Sequence, residues 1–157
     1  MKKSLNLYDN MWDFMDVQGD LPAINIENFP IAFFSLISLF AEDADFNLEE
    51  CYVDRGCLFI SGCCNGERNE LMLRYKYYNA LVVARVHFIH KRKGKMTELY
   101  RILNLIRRKY NTGPIVIESA STNEMVAWCK KQGFIGVEPS PAFSEIGIRT
   151  KTYIQPK

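Results

Sequence analysis

The stretch Leu81 to Tyr110 decides the fold, and it reads LVVARVHFI, then HKRKGK, then MTELYRILNLIRRKY. Its first part is an apolar run rich in β-branched and aromatic side chains, which predicts a strand over Leu81 to Ile89. Its last part has apolar residues at steps of three and four, which predicts a helix with one buried face. These residues are Met96, Leu99, Ile102, Leu103, Ile106 and Tyr110. The unit is therefore a strand, a short basic loop and a helix.

The loop between this strand and this helix has the chemistry of an anion site. The first backbone N–H groups of a helix are unpaired, and the helix dipole makes that end positive. Gly94 lets the backbone approach a phosphate closely because it has no Cβ. Positive charge is added by His90, Lys91, Arg92, Lys93 and Lys95. On the pattern alone, a solvated basic loop that only joins the two elements explains the stretch equally well.

The stretch resembles the acetyl-CoA-binding segment of the GNAT superfamily of N-acetyltransferases. In that family a central strand leads through an R/Q-x-x-G-x-G/A loop into a helix whose first amides hold the cofactor pyrophosphate. Lys91-x-x-Gly94-x-Met96 stands in that pattern here, with methionine in place of the final Gly/Ala. The resemblance implies acetyl-CoA as co-substrate. It implies the cofactor-binding residues Phe88, Ile89, Lys91, Arg92, Lys93, Gly94, Lys95, Met96, Thr97 and Asn123.

A second segment, Asn123 to Phe134, is similar to the family's N…A…Y-x-K-x-G-F signature. Counting back from Gly133, the usual tyrosine position is held by Cys129, and the asparagine comes one residue late. A strand over Ile115 to Glu118 and a helix over Ser121 to Gln132 are predicted around it. Ser121-x-x-Glu124 is a capping-box pattern and Gly133 is a helix terminator, so this segment also has a purely structural explanation.

The predicted fold class is α/β (α+β), a GNAT-like mixed, mostly antiparallel central sheet flanked by helices, with the β-loop-α pyrophosphate site described above. We expect a single domain over residues 1–157. Further strands are predicted over Cys57 to Gly62, Glu70 to Tyr77, Phe143 to Ile148 and Lys151 to Ile154. Asn65-Gly66 predicts a tight hairpin turn, and a helix over Ile31 to Phe40 follows a start signal at Asn28 and Pro30. Residues 1–22 fit a helix or a strand equally well.

An acidic stretch follows the Ile31 to Phe40 helix. Its acidic residues are Glu42, Asp43, Asp45, Glu49 and Glu50. We interpret it as a solvated loop. The alternative is that it attracts a cationic amine to the mouth of the cleft.

Composition excludes several classes of protein. A hydrophobic content of 48% supports a buried core, and a net charge of +2 does not favour bulk nucleic-acid binding. The basic loop has no interleaved aromatics to stack bases, so we expect no nucleic-acid partner. Five cysteines without paired C-x-x-C spacing favour reduced thiols over a metal site. We expect no signal peptide, and the longest apolar run, Ile31 to Ala41, is shorter than the ~20 residues that a membrane span needs. A cytoplasmic protein is expected.

Acetyl transfer to an amine requires a neutral amine, a donor for the oxyanion and a proton for the departing thiolate. In the family, a splay between the cofactor strand and the next strand opens a slot for the pantetheine arm, and a backbone N–H of the cofactor strand serves the thioester carbonyl. The resemblance implies that this N–H comes from Phe88 or Ile89. The candidate bases are Glu118, at the end of its strand, and His87, on the cofactor strand. Cys129 is the candidate acid, with a small core residue as its alternative role, and the other candidate hydroxyls are Tyr100, Tyr110 and Tyr153.

The resemblance implies an N-acetyltransferase that moves the acetyl group of acetyl-CoA to a primary amine by direct attack. The acceptor is a small molecule or a protein, and a homodimer is possible because sheet edges in the family often pair between subunits. The alternative is a catalytically inactive GNAT-fold protein that serves as an acyl-CoA-binding or protein-interaction module. The departures at Met96 and Cys129 favour this alternative.

Overall fold

The computed structural model describes residues 31–54, 57–74, 80–120, 122–137 and 151–156. The helices of this part of the chain are α1 (Ile31–Asp43), α2 (Lys95–Tyr110) and α3 (Asn123–Lys131). Its strands are β1 (Leu48–Asp54), β2 (Cys57–Cys64), β3 (Glu67–Arg74), β4 (Leu81–His87), β5 (Ile115–Ala120), β6 (Ile135–Val137) and β7 (Lys151–Ile154).

All of these strands join one sheet in the order β1-β2-β3-β4-β5-β7-β6. β4 and β5 are parallel, because α2 carries the chain back to the edge at which β4 began. The other paired strands are antiparallel. The predicted fold class, a mixed and mostly antiparallel sheet flanked by helices, is therefore confirmed.

The β2–β3 hairpin shows why its sequence signal was reliable. Asn65 and Gly66 both have positive φ, 52° and 80°, as a two-residue type I′ turn requires. Asparagine and glycine tolerate this conformation better than other residues. The turn fixes the register, with Cys64 opposite Glu67.

The hydrophobic core lies between the sheet and the two longer helices. α1 packs against β1, β2 and β3 and also against α2. Alternate residues of the strands are buried, as in Leu58 and Ile60 of β2. The predicted apolar stripe of α2 is buried at Leu99, Ile102, Leu103 and Ile106, and each such side chain contributes about 1.5–3 kcal/mol when fully buried.

The acidic stretch is not a solvated loop. Asp43 is the last residue of α1 and is fully buried, and Glu49 and Glu50 lie in the edge strand β1. The strand was missed because its acids occupy exposed positions while Cys51 and Val53 fill the buried ones. The second missed strand, β6, is exposed at all of its residues and carries no alternating pattern.

Several predicted boundaries also shift. α1 continues past Phe40 to Asp43, β3 begins earlier than predicted at Glu67, and β4 ends at His87. The N-cap of α3 is Thr122, whose Oγ1 accepts from the N–H of Met125 at 3.1 Å, so the predicted capping box is wrong. Gly133 ends the helix with φ 80°, as predicted. The predicted start signal at Asn28 and Pro30, residues 1–22 and the predicted strand Phe143 to Ile148 lie outside the described residues.

Within the described residues, no helix is long and apolar enough to cross a membrane.

Candidate active site

The sheet splits where β4 and β5 diverge. The two strands pair only at Leu81 with Ile115, Val82 with Val116 and Val83 with Ile117. β4 continues to His87 and β5 to Ala120 without further pairing between them, while β5 pairs with β7 on its other side from Val116 to Ala120. The carboxyl ends of two parallel neighbours thus separate, and open α/β sheets bind ligands at this kind of position.

A cavity of about 320 Å³ occupies the divergence. It is lined by Glu70 of β3, by Ala84, Arg85, Val86 and His87 of β4, by Ile117 and Glu118 of β5, and by Thr122 and Met125 at the start of α3. Two of the three predicted catalytic residues, His87 and Glu118, therefore line the same cavity. A second cleft of about 410 Å³ shares Glu70 and His87 with the first.

The loop after β4 delivers the chain to an uncapped helix. Gly94 precedes α2 with φ 70° and ψ 15°, and no side chain caps this N-terminus. The N–H of Glu98 donates to the carbonyl of Gly94 at 3.0 Å, so the helix begins with the amides of residues 95–97 unpaired in its own hydrogen-bond ladder. Such amides, together with the helix dipole, bind anions.

Most basic side chains of the loop are exposed to solvent. Lys91, Arg92, Lys93 and Gly94 are exposed, and Lys95 is half-buried. Arg92 has φ 60°, a conformation that costs a non-glycine residue about 1 kcal/mol or more. An added Cβ at Gly94 meets no atom within 4 Å, so the space in front of the loop is open. The loop and the start of α2 therefore fit a phosphate group, because they combine the unpaired amides of residues 95–97, positive side chains and open space in front of Gly94.

Asp43 holds the start of this loop. Its Oδ2 accepts from the N–H of Ile89 at 2.8 Å, and its Oδ1 accepts from the N–H of His90 at 3.0 Å. Asn69 Nδ2 donates to Oδ2 at 2.9 Å. Burial alone raises the pKa of Asp43, but the hydrogen bonds from His90, Asn69 and Ile89 together outweigh it and lower the pKa below 3.8.

The contact with Asp43 distinguishes the two backbone N–H groups that were predicted to bind the thioester carbonyl. The N–H of Ile89 is engaged by Asp43, so Phe88 remains as the candidate donor. The Phe88 side chain is buried and stacks on Phe40 of α1 at 4.8 Å between ring centroids. Sequence reasoning missed Asp43, although an acid at a helix C-terminus is unfavourable to the dipole and therefore signals a specific partner.

Two further predicted cofactor residues lie on the first turn of α2. Thr97 is exposed, and its Oγ1 accepts from Trp128 Nε1 of α3 at 3.2 Å. Met96 is half-buried and packs against the core. Trp128 also contacts Tyr100 with an edge-on ring at 5.4 Å. The hydrogen bond between Trp128 and Thr97 was not predicted, because no local pattern in the sequence relates the two residues.

Cys129 lies in the core and not at the cavity lining. It is fully buried, and burial raises the pKa of its thiol from 9.0 to about 11. A thiol with so high a pKa is a poor donor to a departing thiolate, whose own conjugate acid has a pKa of about 8.5. The small-core role of this residue accounts for its position.

The two candidate bases differ in their surroundings. Glu118 Oε2 accepts from Arg74 Nη1 at 3.1 Å, in a half-buried ion pair that bridges β3 and β5. His87 is exposed at the end of β4 and lies opposite Glu70 in the β3–β4 pairing. His87 is therefore accessible from both clefts, whereas Glu118 already has a cationic partner.

The remaining candidates are dispersed. Asn123 is exposed at the first position of α3. Tyr100 OH accepts from Gln155 Nε2 at 2.9 Å, Tyr153 is buried on β7, and Tyr110 packs near Phe33 at the far end of α2. No group of three or more His, Cys, Asp or Glu side chains in the described ranges is arranged to hold a metal ion.

No family model matches the sequence, and no curated protein matches it. The solved structures that are similar to it include two GNAT family proteins. One is a GNAT family acetyltransferase from Elizabethkingia anophelis with acetyl-CoA bound, at 14% identity and a TM-score of 0.45, covering 63% of this chain and 73% of that one. The other is a probable GNAT family acetyltransferase from Chromobacterium violaceum, at 12% identity and a TM-score of 0.43, covering 96% of this chain and 75% of that one.

The element order, the parallel β4–β5 pair and the divergence beyond Val83 and Ile117 are observed directly. By these features the chain has the mixed, mostly antiparallel fold that its resemblance to the GNAT superfamily implies.

Proposed function

We propose that the chain is an acetyl-CoA-dependent N-acetyltransferase that acetylates a primary amine by direct attack. One observation carries the proposal: the cavity in the β4–β5 divergence and the uncapped, basic N-terminus of α2 lie at the same end of β4. An elongated donor with an anionic middle and a reactive end needs both features, and β4 connects them.

The donor side of the proposal rests on the loop. The amides of residues 95–97 and the loop cations would hold the pyrophosphate, and the donor supplies an acetyl group activated as a thioester. Gly94 contributes open space where a side chain would stand in the way of the phosphates. The Phe88 amide is the proposed donor to the thioester carbonyl, since Asp43 engages that of Ile89.

The acceptor side rests on the cavity. The amine nitrogen attacks the thioester carbon, the carbon–sulfur bond breaks, and the amine gives up a proton. His87 is our proposed base, directly or through water, because it is exposed where the two clefts meet. Glu118 lines the cavity, and we propose that it accepts a hydrogen bond from the amine while Arg74 holds its side chain in place. The thiolate takes its proton from solvent, since Cys129 is buried.

The test is titration calorimetry of the protein with acetyl-CoA, with a matched pair of glycine variants. Gly94→Trp fills the space in front of the loop. Gly66→Trp, in the β2–β3 turn, is the control, because both glycines have positive φ, 70° and 80°, and neither has an atom within 4 Å of an added Cβ. Each variant loses about 1–2 kcal/mol of stability from backbone strain, but only Gly94→Trp loses acetyl-CoA binding.

Two results would contradict the proposal. The first is the absence of binding by the wild-type protein at millimolar acetyl-CoA. The second is an equal loss of affinity in Gly94→Trp and Gly66→Trp, since this would make the effect one of stability alone.

One observation favours a second candidate function, a catalytically inactive module that binds acyl-CoA or another protein. Cys129 stands where the family has tyrosine, and it is buried with its thiol pKa raised to about 11. A protein of this kind binds acetyl-CoA but releases no CoA when it is incubated with a panel of small amines and lysine peptides. Release of CoA that depends on the amine excludes this candidate.

A further inference from the structure

The Asp43 carboxylate joins α1 to the loop between β4 and α2. Its side chain is fully buried, and it accepts hydrogen bonds from the backbone amides of Ile89 and His90 at 2.8 Å and 3.0 Å. The neighbouring residue Phe88 stacks on Phe40, one turn before Asp43 in α1. Two different contacts therefore fix the entrance of the loop to the end of the same helix.

A buried carboxylate is retained only where hydrogen bonds replace its water. Here the replacements are the Ile89 and His90 amides, the Asn69 side chain and the His90 ring, whose Nδ1 lies 3.3 Å from Oδ1 and 3.0 Å from the Asp43 carbonyl. The position itself opposes an acid, since the C-terminal end of α1 carries the negative end of the helix dipole. The favourable interactions of the Asp43 charge thus come from the loop and from Asn69.

The geometry needs a carboxylate and not merely a polar group. Two backbone N–H groups point at two different oxygens of one side chain. An asparagine at position 43 offers one acceptor oxygen and one NH2 group, so one of the two backbone amides would face an N–H donor. The start of the loop would then have to move.

The remainder of the loop depends on that start. Arg92 and Gly94 both take left-handed conformations, at φ 60° and 70°, before α2 begins at Lys95. A loop with two such turns presents the helix amides to an anion only if its entrance is held, because the unfixed chain prefers other conformations. Asp43 lines neither of the two clefts, so it is not a candidate for proton transfer.

We propose that Asp43 is a positioning residue for the donor: by holding the Ile89 and His90 amides it sets the loop in the shape that binds the anionic part of acetyl-CoA. This inference rests on the proposed function and adds to it a residue on another element, distant in sequence from the loop. Donor affinity is thereby coupled to the docking of α1 on the sheet.

The experiment measures the dissociation constant of CoA for wild type, Asp43→Asn and Asp43→Glu by titration calorimetry. Asp43→Asn raises it at least tenfold. Asp43→Glu keeps both acceptor oxygens and recovers part of the affinity. Val53→Ala is the control for stability: Val53 is a buried residue of the edge strand β1, and its variant leaves the dissociation constant within twofold of wild type.

Amide resonances of the ligand-free proteins give an independent readout. In ¹H–¹⁵N spectra, Asp43→Asn shifts the resonances of Ile89, His90 and the rest of the loop, whereas Val53→Ala does not. If Asp43→Asn does not fold, the proposal is tested with Asp43→Glu alone. This variant must then shift the amide resonances of Ile89, His90 and the rest of the loop, and it must raise the dissociation constant of CoA measurably.

The outcomes separate the two proposals. If wild type binds CoA and the Asp43 variants bind it with equal affinity, the positioning role is overturned and the proposed function stands. Wild type that binds no CoA overturns the proposed function, and with it the role of Asp43. A loss of affinity that Val53→Ala reproduces also overturns the positioning role.

Discussion

Arg74 on β3 and Glu118 on β5 form an ion pair of 3.1 Å that spans β4, the strand between them. Both side chains are half-buried, at 35% and 39% exposure. The pair lies at the point where β4 and β5 separate, and Glu118 lines the cavity that opens there. The guanidinium of Arg74 thus occupies Glu118 Oε2 before any amine enters the cavity, whereas His87 has no such partner among its described contacts.

We therefore expect His87 and Glu118 to differ in mutant kinetics. Removing a general base costs 10²–10⁴-fold in rate, so His87→Gln should lower kcat by about that factor and flatten the limb of the pH–rate profile that reports the base. Glu118→Gln should act mainly on KM for the amine, with a loss of less than about 1 kcal/mol in stability, because solvent screens an ion pair that is more than a third exposed. Steady-state kinetics across pH measure both effects. A larger loss of kcat in Glu118→Gln would reverse the two assignments.

Trp128 provides an optical probe of the donor site. Its Nε1 donates to Thr97 Oγ1 at 3.2 Å, on the first turn of α2. Acetyl-CoA bound at that turn should change tryptophan emission in wild type, and Trp128→Phe should abolish the change. Thr97→Val should lower stability by about 0.5–1.5 kcal/mol, because it removes one hydrogen bond, and Thr97→Ser should restore it. A signal that persists in Trp128→Phe would assign the change to Trp12, the other tryptophan of the chain.

Gly62 permits the close approach of β2 to the residues that follow α1. A Cβ at this position would stand 2.6 Å from Ala44 Cβ and 2.9 Å from the Asn47 carbonyl oxygen. Backbone atoms cannot yield as a flexible side chain can, so Gly62→Ala should cost about 3 kcal/mol, the upper end of typical overpacking. Gly136→Ala in β6 is the control, since its nearest contact is the Tyr153 ring at 3.2 Å. Urea unfolding measures the free energy of unfolding of both variants. Equal losses of stability in Gly62→Ala and Gly136→Ala would contradict the steric explanation.

Local signals in the sequence predicted the part of the fold that depends on neighbours in the chain. The strand, basic loop and helix from Leu81 to Tyr110, the Asn65-Gly66 turn and β7 all follow from periodicity or turn chemistry. β6 could not be predicted because its residues are exposed and its pairing with β7 joins distant parts of the chain. β1 was hidden by its acids, whose exposure on an edge strand resembles that of a loop.

The candidate site divides in the same way. His87 and Glu118 were predicted because each lies at the end of a recognisable strand, and the parallel pairing of β4 with β5 brings both to one cavity. Asp43 and Arg74 were missed because their contacts reach across 46 and 44 residues of sequence. Such partners depend on tertiary packing, and no local pattern encodes them.

The two buried thiols are expected to lower the stability of the protein at alkaline pH. Burial raises the pKa of Cys51 from 9.0 to about 12 and that of Cys129 from 9.0 to about 11. Both thiols stay neutral in the folded protein while the unfolded chain ionises, so their contribution to stability is complete below about pH 9 and is lost as pH rises towards 11 to 12. Cys129→Ala should therefore lose less stability than wild type does between pH 8 and pH 10.5, measured by urea unfolding, and an equal loss in the two proteins would contradict this explanation.

The same burial predicts which cysteines react. At pH 8 a thiol with a pKa of about 11 is ionised to about one part in a thousand, and only the thiolate is alkylated. Iodoacetamide should modify the half-buried Cys57, Cys63 and Cys64 in the native protein and should reach Cys51 and Cys129 only after unfolding. Mass spectrometry of peptides from native and denatured samples gives the pattern. Rapid native labelling of Cys129 would contradict its place in the core and would restore it as the candidate acid of the reaction.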